Sequence, residues 1–426
     1  MVPQAAPAHD VAHVTLRLGR LMLVNGADTA HVQDAVTAFA ARLGHRVHLL
    51  VGLEGLLLTI EDGEGFHTRL GPAITAITVN MGALAALDGI RNGDIPLSSD
   101  LSGIDRSLDR VEHGGNRFPP WLVAVAMGVT AASLARLFGA LWAVVGVSCL
   151  VGVATQLVRQ LLAAATVNPV AAAGLAAFAG GLVGALAMKA FPDIPPTLCL
   201  VVAGMILVPG VPLLNGVRDL LGKHVGTGIG RLMLGAVTVL AITVGLFRAA
   251  GLAGDTLPVG GTLPLLPSAE DVLFAGLAGG GYALLFNVPA RAAWICVICG
   301  MAGHGLRTVA EHLGLALGAA SLLGAFAAAL VARKLAGRLH APAVTFAFPG
   351  VVAMIPGSYA FRAGIGGLSI MASGGAAPSA LVGETIGLAV TAVVVTASIA
   401  IGLCLALAAP RPGGVAPSTA SKGASR

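Results

Sequence analysis

The sequence contains few charged residues and few aromatic residues for its length. Of its 426 residues, 11% are charged and 4% are aromatic, whereas 56% are hydrophobic. A soluble domain carries about 25% charged residues, so this composition excludes an ordinary soluble enzyme. It equally excludes a disordered chain, which would be poor in hydrophobic residues. The mean hydropathy of +0.88 indicates that most of the chain lies in a membrane.

Acidic residues are concentrated near the start of the chain. Residues 1–118 hold 13 of the 20 aspartates and glutamates, which leaves seven for the other 308 residues. The sequence therefore predicts a soluble α+β domain over residues 1–117, followed by an all-α, polytopic membrane domain. The first ten residues lack the charged and then apolar segments of a signal peptide, so we expect this N-terminal domain to stay in the cytoplasm.

No motif of a nucleotide-driven pump or of a hydrolase is present. The sequence has no G-x-x-x-x-G-K-[ST], no H-E-x-x-H and no nucleophile elbow. All five cysteines lie in apolar runs, and Cys296-x-x-Cys299 has no second ligand pair nearby, so no zinc site is predicted. The basic residues are scattered rather than arranged in a stripe, which argues against nucleic-acid binding. We therefore expect no catalytic residues, no metal and no cofactor.

Short periodic segments predict the secondary structure of the N-terminal domain. Apolar residues at helical spacing indicate a helix over 12–25, Gly26 ends it, and Asp28 or Thr29 caps a second helix running to Leu43. Three strand-like runs follow, at 46–51, 55–61 and 66–70. Two further helices are predicted after them, at about 74–92 and 98–113.

Long apolar segments follow residue 118. A transmembrane helix needs about 20 mostly apolar residues. By this measure the sequence predicts ten, at about 121–138, 140–158, 168–188, 196–217, 228–247, 270–288, 291–308, 315–333, 342–362 and 382–407. We divide this part of the chain into a first five-helix repeat over 118–249, a linker over 250–267, a second five-helix repeat over 268–409 and a disordered tail over 410–426.

The distribution of lysine and arginine predicts the orientation in the membrane. With the N-terminal domain in the cytoplasm, the cytoplasmic segments after residue 118 hold eleven basic residues, Arg159 among them, and the outside segments hold five. Positive residues of membrane proteins concentrate on the cytoplasmic side. This bias therefore predicts that both termini are cytoplasmic.

The membrane segments contain an internal repeat. Residues 206–210 (I-L-V-P-G) resemble residues 353–357 (A-M-I-P-G) at an offset of 147 residues, and Trp142 matches Trp294. Since five is an odd number of helices, the second copy would enter the membrane from the opposite side. The sequence therefore predicts an inverted-topology repeat, which is a frequent plan of secondary transporters.

Proline–glycine pairs interrupt the fourth and ninth predicted helices. Pro209-Gly210 lies in the fourth, and both Pro349-Gly350 and Pro356-Gly357 lie in the ninth. Proline removes an amide donor, and the carbonyl groups that it frees need partners from protein, cavity water or a ligand. We interpret the equivalent breaks as lining a transport path, although any single pair would also fit a simple kink.

Polar residues close to these breaks complete the candidate site. The predicted path residues are Pro209, Gly210, Asn215, Arg218, Asp219, Pro356, Gly357, Ser358 and Arg362. Arg218 or Arg362 could bind a carboxylate if it faces a cavity, and otherwise Arg218 and Asp219 would form an interfacial ion pair. Glu384 could carry a coupling proton if it is desolvated, or could be solvated at the membrane interface.

The sequence resembles the threonine/serine exporter (ThrE) family over about residues 12–408. The resemblance is carried by Gly26-Ala27-Asp28-Thr29 with Val32, Thr68-Arg69 with the helix through Asn80, the run 208–220 (V-P-G-V-P-L-L-N-G-V-R-D-L) and the run 355–362 (I-P-G-S-Y-A-F-R). It implies a cytoplasmic N-terminal domain joined to ten membrane helices. It also implies export of L-threonine and L-serine driven by the proton motive force. Related systems carry the two halves on separate chains and are linked to succinate export.

Three functions stay open on the sequence. The first is a secondary exporter of small hydroxy amino acids in the cell membrane, with protons as the coupling ion. The second has the same fold but exports a dicarboxylate such as succinate, which two arginines in related places would favour. The third is a sensor whose N-terminal domain binds a ligand and whose membrane helices only anchor it, although ten helices exceed what an anchor needs. The chain would contact the lipid bilayer, and the sequence leaves open whether it forms a homo-oligomer.

Overall fold

The computed structural model describes most of the chain. It covers residues 7–62, 65–93, 101–194, 197–255, 257, 259–260, 267–339 and 341–408. The predicted tail, 410–426, and the centre of the predicted linker, 261–266, lie outside these residues. The described chain is mostly helical with a small three-stranded sheet near the N-terminus, as predicted.

The N-terminal domain (residues 7–117) combines four helices with one sheet. Its elements are α1 (Ala8–Val24), α2 (Thr29–Arg42), β1 (Arg46–Val51), β2 (Leu56–Asp62), β3 (Gly65–Leu70), α3 (Met81–Asn92) and α4 (Leu101–Glu112). The strands are antiparallel in the order β1-β2-β3, with Arg46 opposite Glu61. Leu56, Leu58 and Ile60 of β2 are buried, which is the alternation expected of a sheet covered on one face. Helices α1 and α2 pack against this sheet.

The turn between α1 and α2 is fixed by its own hydrogen bonds. Gly26 has φ +96°, a left-handed conformation that favours glycine. Its amide donates to Leu23 O at 3.2 Å, and the amide of Ala27 donates to Met22 O at 3.1 Å. This pattern is the Schellman motif that ends many helices. The side chain of Asp28 then caps α2, so the predicted end and start of the two helices are confirmed.

Residues 71–80, which we call the bridging segment, form neither helix nor strand. The sequence pattern predicts a helix over about 74–92, and that prediction is wrong for residues 74–80. The amides of Thr78 and Asn80 donate to the carbonyl groups of Val24 and Asn25, at 2.7 and 3.2 Å. These hydrogen bonds tie the segment to the end of α1, and the side chain of Asn80 caps α3, which starts only at the next residue.

Twelve further helices make up the rest of the described chain. They are α5 (Pro120–Leu137), α6 (Trp142–Ala164), α7 (Pro169–Met188), α8 (Thr197–Met205), α9 (Gly210–Leu221), α10 (Val225–Ala253), α11 (Ser268–Leu285), α12 (Ala293–His312), α13 (Leu317–Ala336), α14 (Val344–Val351), α15 (Gly357–Ser373) and α16 (Ser379–Ala408). Each of the ten apolar segments predicted from the sequence corresponds to one of these helices or to one of two broken pairs, α8 with α9 and α14 with α15.

Seven helices of the described residues are long and apolar enough to cross a membrane, and the two broken pairs raise the number to nine. Helix α11 is not among them, because Glu270 and Asp271 lie in its first turn and four glycines interrupt its apolar sequence. Both carboxylates have partners: Arg136 Nε donates to Glu270 at 2.9 Å, and His304 Nδ1 lies 2.8 Å from Asp271 Oδ2. The protein is therefore a multi-pass membrane protein with seven to nine candidate spans.

The two halves of the membrane region repeat the same helix contacts. A side chain at Gly128 of α5 would overlap Cys149 and Val153 of α6. The residues 148 positions further along behave alike, because a side chain at Gly276 of α11 would meet Val297 and Met301 of α12. Helix α10 also packs on α7 as α16 packs on α13. These contacts support a duplicated helical unit.

Helices α5 and α11 run in opposite directions relative to the N-terminal domain. The start of α5 lies beside this domain, where the amide of Arg117 donates to Asn287 Oδ1 at 2.7 Å. Helix α11 instead ends there, because Phe286 O accepts a hydrogen bond of 2.8 Å from the amide of Met81. Helices α5 and α11 are thus antiparallel.

Close packing of α10 on α7 predicts a position-specific effect of alanine. A Cβ atom at Gly245 would overlap the carbonyl oxygen of Gly174, whereas a Cβ atom at Gly251 of the same helix would meet no atom within 4 Å. We expect Gly245→Ala to lower the midpoint of thermal unfolding in detergent, since overpacking costs about 1–3 kcal/mol. Gly251→Ala should leave it unchanged or raise it, because alanine favours helix by roughly 1 kcal/mol. Equal midpoints for both variants would contradict this packing.

Candidate functional site

Both broken pairs contain the same tight turn. The amide of Gly210 donates to Val208 O at 2.7 Å, and the amide of Gly357 donates to Ile355 O at 2.8 Å. The proline between them has φ −75° and ψ 60° at the first break, and φ −78° and ψ 50° at the second. These values describe an inverse γ-turn. The two breaks, which the sequence motif made equivalent, therefore also have the same backbone conformation.

Proline explains why each turn starts a new helix instead of a mild kink. The helix axes bend by 53° between α8 and α9 and by 48° between the 344–354 segment and α15. Pro212 lies in the first turn of α9, where an amide would have no intrahelical acceptor, so it is compatible with a helix start. Pro349 does not break the chain as predicted, because α14 continues through it to Val351. The second break lies at the other predicted pair, Pro356-Gly357.

The two breaks pack directly against each other. A side chain at Gly210 would overlap Ile355, which precedes the second Pro-Gly pair. Reciprocally, a side chain at Gly357 would overlap Val208, which precedes the first pair. The contact is thus symmetric, and only glycine leaves room for it. Ser358 follows directly and is 2% exposed.

A cavity of about 490 Å³ lies beside the first break. Its wall includes residues 206–212 of the break, residues 76–79 of the bridging segment, Arg159 of α6 and Tyr282 of α11. The bridging segment belongs to the N-terminal domain, so the cavity lies on the side of the membrane region that this domain occupies. Its lining combines an apolar surface with a few polar groups, as is typical of small-molecule sites.

Arg159 is a cavity residue that the sequence analysis assigned only to the count of cytoplasmic bases. Its side chain is exposed and lines the cavity. The signal that would have identified it is the repeat itself, because Arg307 lies 148 residues further along, at the offset that relates α6 to α12.

Asn215, Arg218 and Asp219 contact the N-terminal domain in this structure and do not line the cavity. Asn215 Nδ2 donates to Gly26 O at 2.8 Å, and Arg218 lies 2.9 Å from Asp28 Oδ2. These bonds join two motifs that the sequence analysis treated separately, the 26–29 turn and the 208–220 run.

Four charged side chains form the centre of this contact. This interdomain charge cluster consists of Asp28, Arg218, Asp219 and Arg231, whose side chains are between 1% and 13% exposed. Arg231 lies 3.1 Å from Asp219 and donates to Ala27 O at 2.8 Å. Two carboxylates and two guanidinium groups therefore neutralise each other between the domain and α9 and α10. The guanidinium group of Arg218 also lies over the ring of Phe348 at 5.5 Å. An ion pair between Arg218 and Asp219 was the alternative to a ligand-binding role for Arg218, but each residue pairs with another partner.

The pKa values of two N-terminal residues, Asp28 of the cluster and the nearby His31, are shifted. Burial alone would raise the pKa of Asp28, but the charges of Arg218 and His31 outweigh it and lower that pKa. Burial alone would lower the pKa of His31, but the hydrogen bond to Asp88 and the charges of Asp88 and Asp28 raise it. His31 Nε2 lies 3.1 Å from the Asp88 carboxylate.

Arg362 and Glu384 lie far from the interdomain charge cluster. Arg362 is 7% exposed, and its Nε donates to Val259 O at 2.7 Å, beyond the end of α10. Helix α10 starts near the N-terminal domain and has 29 residues, so it is about 43 Å long. Glu384 lies beside Gly260, in the same region as Val259. The two arginines in related motif positions, Arg218 and Arg362, therefore do not converge on one ligand.

Metal ligands do not cluster in the described part of the chain. No group of three or more histidine, cysteine, aspartate or glutamate side chains in these residues could hold a metal ion. The expectation that no cofactor is needed stays an expectation.

Two family models match the chain. The model described as "Putative threonine/serine exporter" matches residues 13–253, and the model described as "Threonine/Serine exporter, ThrE" matches residues 271–409. These ranges divide the chain at the predicted linker.

Curated relatives match over about half of the chain. An Escherichia coli protein named "Probable succinate transporter subunit YjjP" is 26% identical over 243 residues, which are 56% of this chain and 93% of that protein. The Klebsiella aerogenes protein of the same name is 24% identical over 243 residues, which are 56% of this chain and 92% of that protein. No solved structure matches the chain.

The ion pair between Asp28 and Arg218 predicts strong energetic coupling. Removing one partner of a buried pair leaves an uncompensated charge and costs about 3–5 kcal/mol. We expect Asp28→Ala and Arg218→Ala each to lower the unfolding midpoint strongly, and the double variant to lose less than the sum of the two. Arg106→Ala, at an exposed residue of α4, serves as the control and should change little. Additive effects of the two cluster variants would show that the pair does not couple the domains.

His31 predicts a pH dependence of stability. Its pKa is raised in the folded protein, so protonated His31 stabilises the fold below its ordinary pKa of about 6.5. This stabilisation is lost as the pH rises through the raised value. The unfolding midpoint of the wild type relative to His31→Gln should therefore fall as the pH is raised from 6. A constant difference between the two proteins across this range would refute the assignment.

Proposed function

Because the chain belongs to the threonine/serine exporter family, we propose that it is a secondary exporter of small hydroxy amino acids, L-threonine and L-serine. The observation that carries this proposal is the pair of equivalent helix breaks, which pack on each other beside a cavity of about 490 Å³. Broken helices of this kind form the substrate sites of many secondary transporters. The cell membrane is the expected location.

We further propose that the two halves form an inverted repeat of five helices each, with ten spans in all. The repeated contacts of α5 with α6 and α11 with α12 support the duplication. The opposite directions of α5 and α11 relative to the N-terminal domain support the inversion. In this topology α11 is the sixth of the ten spans, with its two carboxylates satisfied by Arg136 and His304. Both termini would be cytoplasmic.

Alternating access would arise from movement at the two breaks. Pro209, Gly210, Pro356, Gly357 and Ser358 would shape the path where the halves meet. The interdomain charge cluster holds the end of α9 and the start of α10 against the N-terminal domain, so the domain would act on the first break through the length of α9. In this proposal Asn215, Arg218 and Asp219 couple the domain to the path, and Arg362 ties α15 to the segment that follows α10.

Export would be driven by the proton motive force. Glu384 of α16 is the proposed coupling residue, since it lies near Arg362 at the end of the molecule remote from the N-terminal domain. The substrate would enter from the cytoplasm through the cavity beside the bridging segment. This scheme does not depend on a particular oligomeric state.

A dicarboxylate is the second candidate substrate. The observation that favours it is the name of the two relatives, each called a probable succinate transporter subunit. Each relative is about one quarter identical to this chain over 243 residues. A succinate exporter would use the same breaks and the same cavity. Either candidate would place one carboxylate at a cation in the cavity. The two differ in that an amino acid has a single carboxylate, whereas a diacid has two.

Flux through reconstituted protein tests the proposed function. We expect proteoliposomes to move labelled L-threonine when a pH gradient is imposed, with competition by L-serine. Gly210→Val and Gly357→Val should abolish this flux, because the added side chains would overlap Ile355 and Val208. Gly226→Val is the matched control, since no atom lies within 4 Å of a Cβ atom there.

Two results would count against the proposal. Movement of succinate without competition by L-threonine would make the dicarboxylate the substrate. Unchanged flux in both break variants would show that the breaks are not in the transport path.

A further inference from the structure

Arg159 and Arg307 are counterparts in the two halves of the membrane region. Arg159 lies on α6 after Val153, and Arg307 lies on α12 after Met301. Val153 and Met301 make equivalent contacts in the two halves and are 148 residues apart, as are the two arginines. Each also lies at a helix break: Arg159 lines the cavity with residues 206–208, and Arg307 donates to Met354 O at 3.4 Å. The same cation is therefore placed at the same motif twice.

The second copy of this arginine has protein partners. Arg307 Nε donates to Glu311 Oε1 at 3.0 Å, one helical turn further along α12, and its guanidinium group also reaches the Met354 carbonyl. These two contacts satisfy both the cation and a carbonyl group that the break frees. The second break is thus closed by its own arginine.

The first copy lacks the equivalent partners. The residue one turn beyond Arg159 is Ala163, where α12 has Glu311. Among the described residues Arg159 forms no hydrogen bond or ion pair, and the carbonyl groups of Ile206 and Leu207 accept no hydrogen bond. All four residues line the same cavity. The first break therefore presents an unpaired cation and unpaired acceptors to one space.

A zwitterion with one carboxylate would complete this arrangement. A cation in a membrane region is costly unless it is paired, and arginine binds carboxylates with two parallel hydrogen bonds. Carbonyl oxygens accept hydrogen bonds from an ammonium group, which has three donors and no acceptor. Free backbone carbonyls in a membrane need such partners. A diacid would satisfy the cation but would bring a second anion towards the carbonyl oxygens.

We infer that Arg159 binds the carboxylate of the transported amino acid in this cavity, and that the carbonyl groups of Ile206 and Leu207 accept hydrogen bonds from its ammonium group. This inference rests on the proposed function and names the chemistry that its site recognises. The cavity lies beside the bridging segment, so Arg159 is the residue of the cytoplasmic loading state. Arg307 keeps the second break closed in that state.

Binding to purified full-length protein in detergent tests the inference without requiring transport. The probes are L-threonine, L-threoninol, which lacks the carboxylate, and 3-hydroxybutyrate, which lacks the ammonium group. Affinities are measured by calorimetry on the wild type, Arg159→Gln, Arg159→Lys and Arg248→Gln. Arg248 is the control, because it is exposed on α10 and does not line the cavity.

We expect Arg159→Gln to weaken L-threonine binding by about ten- to hundred-fold, the range for a hydrogen bond to a charged group. Arg159→Lys should retain part of the affinity, and Arg248→Gln should retain all of it. Binding of L-threoninol should be weak in the wild type and should not change in Arg159→Gln. An equal loss for L-threonine and L-threoninol would mean that Arg159 only supports the shape of the cavity, which overturns the inference.

A second measurement keeps the inference testable if Arg159→Gln does not fold. Phenylglyoxal modifies accessible guanidinium groups, and mass spectrometry of the wild type locates the modified residues. L-Threonine should protect Arg159 but not Arg248. Absence of protection at Arg159 would overturn the inference.

The outcomes also separate the inference from the proposed function. Unchanged L-threonine affinity in Arg159→Gln, with flux intact, would overturn the role of Arg159 alone. Tighter binding of succinate than of L-threonine, lost in Arg159→Gln, would overturn the zwitterion and replace the proposed substrate by the dicarboxylate. Failure of the wild type to bind or move either compound would overturn both.

Discussion

The backbone groups freed by a broken helix govern this structure. In a bilayer no water is available to bond them, so every interrupted turn must find a partner in protein, in a cavity or in a ligand. The second break finds its partner in Arg307, whereas the first faces a cavity that holds Arg159 and two carbonyl groups without a hydrogen bond from the described residues. The same motif is thus closed once and open once. The two halves therefore differ at equivalent positions, and the open break is the one on the side of the N-terminal domain.

The N-terminal domain is held at the open break by two independent sets of contacts. The interdomain charge cluster joins its first turn to α9 and α10, and the bridging segment forms one wall of the cavity. The Schellman motif at Gly26 turns the carbonyl groups of Gly26 and Ala27 towards Asn215 and Arg231, which bond them. A single turn therefore links the fold of the domain to the break. Buried charge pairs are weak evidence for stability but are sensitive to the loss of one partner, which suits a contact that transmits movement.

Much of the architecture follows from local sequence signals, and the functional geometry does not. Helix periodicity and glycine stops predicted the first two helices, and the strand-like runs predicted the sheet. The proline–glycine motifs predicted both broken helices. The bridging segment does not form the predicted helix because its hydrogen bonds go to Val24 and Asn25, which are remote in sequence. Arg218 and Asp219 were interpreted by proximity to a break, but their partners are decided by the docked domain. Arg159 was overlooked because a single arginine near a helix end is ambiguous, and only its relation to Arg307 distinguishes it.

The central claim is that the substrate occupies the cavity bounded by the first break and the bridging segment. Hydrogen–deuterium exchange of the reconstituted protein tests it most directly, because amide protection can be read separately for residues 205–213, 353–360 and 71–80. We predict that saturating L-threonine slows exchange in the first break and the bridging segment and alters it at the second break, while α13 is unaffected. Protection confined to α1–α4, with no change at either break, would contradict the account and place ligand binding in the N-terminal domain.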